Sequence, residues 1–169
     1  MSAGQIANET GGHRTLNRRW VIHAARTAVA AGASLGCAHL LKLPEAYWAP
    51  ISTMVVMQSS LGAAWDISKK RFFGTALGAA AGGLIATYLA PGLVAFTAVI
   101  FVLGLLCAAL RLDQSAYRYA GITVAMVMLV ERAQPPYLIA AYRFTEVSLG
   151  ILVALVLTAI WPGSELPSN

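Results

Sequence analysis

The sequence predicts an all-α integral membrane protein whose six transmembrane helices form two inverted three-helix repeats. Three observations carry that prediction. Of 169 residues, 58% are hydrophobic and only 11% charged, against roughly 25% charged in soluble domains. So few charges cannot coat a water-soluble helical protein of this size, whereas lipid solvates the outside of a polytopic one. Long apolar runs recur between short polar stretches. The second half of the chain then echoes the first, about seventy residues on.

In chain order, a polar lead-in over 1–19 carries Arg14, Arg18 and Arg19. It reads as a cytoplasmic segment and not a cleaved signal, because the apolar run behind it is long enough to span. Segment one runs from Trp20 to Leu41, and segment two, with Pro50 and Gly62, from Ala46 to Ala64. The charged knot Asp66, Lys69, Lys70, Arg71 reads as a basic loop. Segment three, Phe72 to Ala90, is paved with Gly74, Gly78, Gly82 and Gly83, a stripe that lets another backbone approach closely. Ala28, Gly32 and Gly36 make the same stripe on segment one. Segment four is Leu93 to Leu110, segment five Tyr119 to Val130, and segment six Ile139 to Trp161. The spans form one module over 20–162, followed by a short tail over 163–169. About twenty helical residues cross the hydrocarbon, so four segments fit, the second is borderline and the fifth falls short.

Basic residues orient the chain. With both termini inside, Arg14, Arg18, Arg19, Lys69, Lys70, Arg71, Arg111 and Arg118 are cytoplasmic, and Arg26 snorkels to that side. Only Lys42, Arg132 and Arg143 lie toward the outer face. The net charge of +5 is thus explained by loops, and no basic stripe interleaved with aromatics points to nucleic acid.

The repeat is visible in three blocks. Thr27-Ala28-Val29 returns as Thr97-Ala98-Val99; Ala49, Ile51, Val56 and Met57 return as Ala120, Ile122, Val127 and Met128; and Arg71-Phe72 with Leu77-Gly78 returns as Arg143-Phe144 with Leu149-Gly150. A unit of three spans puts the second copy into the membrane from the opposite side, the plan of many secondary transporters. Segments two and five, one broken by proline and the other shortened, occupy matching places, where such proteins hold their substrates.

Several residues could serve a site there. Ser52, Thr53 and Thr123 carry hydroxyls into the spans; bonding their own helix carbonyls is the ordinary fate, and lining a polar path is the other. Gln58 is an amide that needs several partners, as interhelical glue or as a substrate ligand. Arg143 and Glu146 are three apart on one helical face, an internal ion pair or else a cation for a carboxylate with a proton-accepting neighbour. Arg26, one turn from His23, is a membrane-interface anchor, with an inner-mouth anion site as the alternative. Enzymatic motifs are absent: there is no H-E-x-x-H, no G-x-S-x-G and no P-loop. Cys37 and Cys107 lie in apolar runs and make neither a disulfide framework nor a metal spacing, and no cofactor is implied.

Leu43-Pro44-Glu45-Ala46-Tyr47-Trp48-Ala49, Val56-Met57-Gln58, Leu61-Gly62 and Arg71-Phe72-Phe73-Gly74-Thr75-Ala76-Leu77-Gly78 together resemble the fusaric acid resistance, or aromatic acid exporter, family. Arg143-Phe144 through Leu149-Gly150 is similar to that family's second arginine stretch. The resemblance implies a bacterial inner-membrane module of six spans that exports aromatic or other organic acid anions by gradient-driven secondary transport, with a proton gradient as the drive. A passive anion channel and a non-transporting partner subunit are the alternatives. At the level of fold it is similar to the plant aluminium-activated malate channels, which implies a dimer and an anion path lined by arginines. Longer members carry two modules and a soluble domain, so self-association is expected of this shorter chain.

Overall fold

The computed structural model describes residues 18–58, 60–89, 92–130 and 133–161. The lead-in to 17, the tail from 162, Ser59, Pro91, Arg132 and the side chains of Arg18 and Arg19 lie outside the described residues. Within them the chain is all-helical, with no strand: α1 (Arg18–Leu40), α2 (Trp48–Val56), α3 (Leu61–Tyr88), α4 (Leu93–Ala109), α5 (Gln114–Leu129) and α6 (Pro136–Ile160).

Local chemistry sets these boundaries. Proline opens α6, where its fixed φ suits the first turn and its missing N–H costs nothing. Asp113 caps α5 by accepting the Ser115 N–H at 3.2 Å, so this helix starts five residues before the predicted segment. Pro50 falls in the first turn of α2 and breaks nothing. The helix ends instead at Val56, because Met57 turns extended and Ser60 caps α3 by accepting the Ala63 N–H at 3.3 Å. Predicted segment two is therefore a nine-residue helix plus a connection, and Gln58 lies in the connection and not in a span.

The charged knot is likewise no loop. Asp66 pairs with Lys69 at 3.1 Å and with Lys70 at 3.6 Å, the one-turn spacings that support a helix. With no glycine or proline between Ala63 and Phe73, α3 runs straight through it.

The helices α3 and α6 form the central pair. On α3 lies α5, and on α6 lies α2; outside these, α4 touches α5 and α3, while α1 touches α2 and α6. Glycine makes both inner contacts possible. A Cβ at Gly78 would fall on the Ala120 carbonyl and beside Thr123, and one at Gly150 on the Ala49 carbonyl and beside Ser52. Gly74 and Gly82 continue the α3 stripe along α5. The stripe on α1 does not take part: Ala28 is exposed, and a Cβ added at Gly32 or Gly36 would meet no other part of the described chain within 4 Å.

The outer surface is apolar, with Trp65, Phe73, Leu84, Phe101, Leu105 and Leu152 all exposed. Two stretches, Trp20–Leu40 and Pro136–Ile160, are long and apolar enough to cross a membrane, and Leu93–Ala109 is a shorter apolar helix.

Candidate functional site

The site is built on the inner faces of α2, α3 and α6. One turn apart on α6, Arg143 and Glu146 are both buried. Trp48 opens α2 and stacks on the arginine, with the guanidinium carbon 3.1 Å from the ring centroid. Just before that helix, the Glu45 N–H donates to Glu146 Oε1 at 3.0 Å, and Trp48 Nε1–H donates to Glu45 Oε2 at 3.0 Å. Glu146 thus ties the α1–α2 connection to α6 directly above Arg143. Beside this tie opens a cavity of about 290 Å³, lined by Pro44, Glu45, Gln134, Tyr142, Arg143 and Glu146. Arg143 is attracted by Glu146 and Glu45 and repelled by Arg71.

Arg71 is the second buried cation. It stands on α3 with 6% of its surface exposed. Its Nη2 donates to Ser52 Oγ at 3.1 Å, and its guanidinium lies 4.9 Å from the centroid of Tyr119 on α5. Neither Arg71 Nε nor Arg143 Nε and Nη1 has a hydrogen-bond acceptor among the described residues. The sequence reading had placed Arg71 in a cytoplasmic loop. In a continuous helix, however, each residue turns by about 100°, so Lys69 stays outside while Arg71 points inward with Ser68, Gly74 and Thr75.

Arg26 is the third, 1% exposed and with Nε and Nη2 lacking a hydrogen-bond acceptor among the described residues. Leu35 and Ala38 of α1 pack beside Ala46 and Ala49. In the connection after Val56, Gln58 is half-buried. Arg26 is therefore not a snorkelling anchor: it lies on the face of α1 that also buries Ala30, Ser34 and Ala38.

The hydroxyls keep their local bonds. Ser52 donates to the Trp48 carbonyl at 2.9 Å, and Thr123 to the Tyr119 carbonyl at 2.9 Å. Thr53 donates to the Ala49 carbonyl and, across helices, to that of Gly150, each at 3.0 Å. Ser52 alone among them also accepts a bond from an arginine. The fold thus gathers Arg143, Glu146, Ser52 and Thr53 along the α2–α6 seam, keeps Thr123 on α5 and Arg26 on α1, and leaves Gln58 in the connection after α2.

Sequence reasoning missed Arg71, Trp48, Tyr119 and Glu45. A signal for three of them was present. Arg71 and Arg143 stand at matching places in the repeat, and so do Tyr119 and Trp48, and Thr123 and Ser52. Among the described residues no three His, Cys, Asp or Glu side chains converge as metal ligands. In the comparison with known families, residues 30–157 match the family model described as fusaric acid resistance protein-like. No curated protein and no solved structure matches the chain.

Proposed function

The chain belongs to the fusaric acid resistance protein-like family, and from that premise we propose that it is a multi-pass inner-membrane permease exporting organic acid anions. Family membership gives the coarse role, membrane transport or resistance. The finer reading is carried by one observation: the buried charged residues among those described are three arginines and one glutamate. A buried charge without a counter-ion costs several kcal/mol, and intramembrane arginines ordinarily mark an ion pathway. The surplus of guanidinium N–H groups fits an anion supplied from outside the chain.

In this reading a carboxylate enters the cavity beside Arg143, which can grip it in a fork of two N–H bonds. Trp48 holds the guanidinium flat, and Glu146 is the internal counter-ion that the substrate displaces. Ser52 and Thr53 line the seam beneath, and Arg26 with Gln58 forms the inner mouth. The apolar outer surface is consistent with lipid contact on all sides, with both termini cytoplasmic. The matched contacts of α5 on α3 and α2 on α6 support an inverted repeat of three helices. Self-association as a homodimer, with the unpartnered small-residue stripe of α1 as one available face, belongs to the same proposal.

The test is flux. Purified protein in proteoliposomes is loaded with labelled benzoate and given a pH step. Release that follows the pH step supports a coupled exporter, and current without coupling supports a passive channel. If neither appears for a folded protein, the transport reading is wrong.

A further inference from the structure

Taking the anion-transport reading as its basis, we infer that Arg71, with Tyr119 and Ser52, is a second anion half-site, the inward-facing counterpart of Arg143 and Trp48. The two are built alike. Each arginine sits on a central helix, α3 or α6, with its guanidinium over an aromatic ring of the helix packed on it, 4.9 Å from Tyr119 and 3.1 Å from Trp48. Each is buried and keeps N–H groups without an acceptor. Each stands seven residues before a glycine of its own helix: Gly78 follows Arg71 as Gly150 follows Arg143, and each glycine seats the partner helix against the arginine's own.

They differ in two respects. Arg143 lines a cavity of about 290 Å³, whereas beside Arg71 the helix α5 packs closely on α3, with a Cβ at Gly74 blocked by the Ala116 carbonyl. In this proposal the side of the cavity is the open half and the side of α5 the shut one. The second difference is charge. Where α6 has Glu146, the matching place on α3 is Gly74, so no carboxylate stands at that place beside Arg71. The groups that act on Arg71 are the Tyr119 phenol, the Ser52 hydroxyl and Arg143 itself. An anion leaving the cytoplasm meets a cation with no internal competitor at Arg71, then one with a competitor at Arg143. Glu146 helps expel it outward. When two inverted repeats exchange conformations, the halves exchange accessibility, and Ser52, bonded to Arg71 and one turn from Trp48, lies on the way between them.

The full chain with Trp20, Trp65 and Trp161 changed to Phe leaves Trp48 as the only indole and reports on the outer half by fluorescence. Benzoate is the probe, titrated in detergent for binding and moved across proteoliposomes for flux. Arg143→Gln should lose both the Trp48 signal and the flux. Arg71→Gln should keep the benzoate-dependent Trp48 signal within about twofold while slowing flux at least tenfold. If that variant does not fold, Arg71→Lys, which keeps the charge but not the planar fork, and Tyr119→Leu give the same reading. Wild-type flux in a folded Arg71 variant would overturn the second half-site, as would equal loss of the Trp48 signal and flux. A wild-type protein that neither binds nor moves benzoate would sink the transport reading itself, and this inference with it.

Discussion

A guanidinium buried against an aromatic ring keeps its charge but loses its water, so every N–H left without an acceptor weighs on the fold. Arg143 answers part of that cost with Trp48 and Glu146, and Glu146 is held in turn by the Glu45 N–H. If the anion replaces Glu146, Glu146→Gln should tighten benzoate binding about tenfold, or about 1.4 kcal/mol, because the amide can still accept the Glu45 N–H without competing for the cation. Arg143→Gln should weaken binding by about 1.5–3 kcal/mol, the usual worth of a hydrogen bond to a charged group. Equilibrium titration of both variants checks the opposite signs, and a weaker Glu146→Gln would remove the counter-ion role. At this scale the sequence was half legible. Arg143 and Glu146 declare themselves by one-turn spacing inside an apolar run. Arg71 hides behind Lys69 and Lys70, because a lysine-lysine-arginine run looks like a loop until the helical face is known. Arg26 hides because burial near a helix end depends on which neighbour covers it.

Elements were read more faithfully than their ends. Six apolar runs became six helices, yet the join between the second and third moved. Gln58 and Ser60 looked like polar residues within a span, whereas they are the connection and cap between α2 and α3. Glycine roles also depend on packing that periodicity does not contain. Gly78→Ala and Gly150→Ala each drive a Cβ into a backbone carbonyl, and such overpacking costs about 1–3 kcal/mol. Gly32→Ala and Gly36→Ala meet open space and should stabilise α1 by about 0.5–1 kcal/mol each. Melting in detergent separates the two pairs, and a monomer–dimer assay shows whether the α1 pair also disturbs self-association. The turn from α4 into α5 has its own clamp. Asp113 accepts a bond from Lys70 at 2.7 Å as well as capping α5. The Lys70 ammonium, then the Ser115 N–H, hold the Asp113 carboxyl below its ordinary range. A depressed carboxylate stabilises the fold above its unfolded pKa of about 3.9 and loses that contribution as pH falls through the lower folded value. Asp113→Asn should therefore lower the melting temperature at pH 7, with the difference from wild type shrinking toward pH 3. A constant difference would assign the effect to the cap alone.

At the scale of the whole molecule, the proposed repeat ties the residues and elements together. Its echo in the sequence was faint, because alanine-rich and leucine-rich text matches itself. Its trace in the packing is more specific: Gly78 on Ala120 and Thr123 matches Gly150 on Ala49 and Ser52, and Arg71 on Tyr119 matches Arg143 on Trp48. Sequence periodicity could not supply these pairings, since they join helices far apart in the chain. If each unit crosses three times, as proposed, the connections flanking α4 face opposite compartments. In a variant with Cys37 and Cys107 changed to Ala, a single cysteine at Gly92 should react with an impermeant maleimide from outside intact cells. One at Leu112, beside Arg111, should react only after permeabilisation. If both react from the same side, α4 does not cross, the two arginine halves cannot exchange exposure, and an anion gripped at Arg71 has no outward route through Arg143.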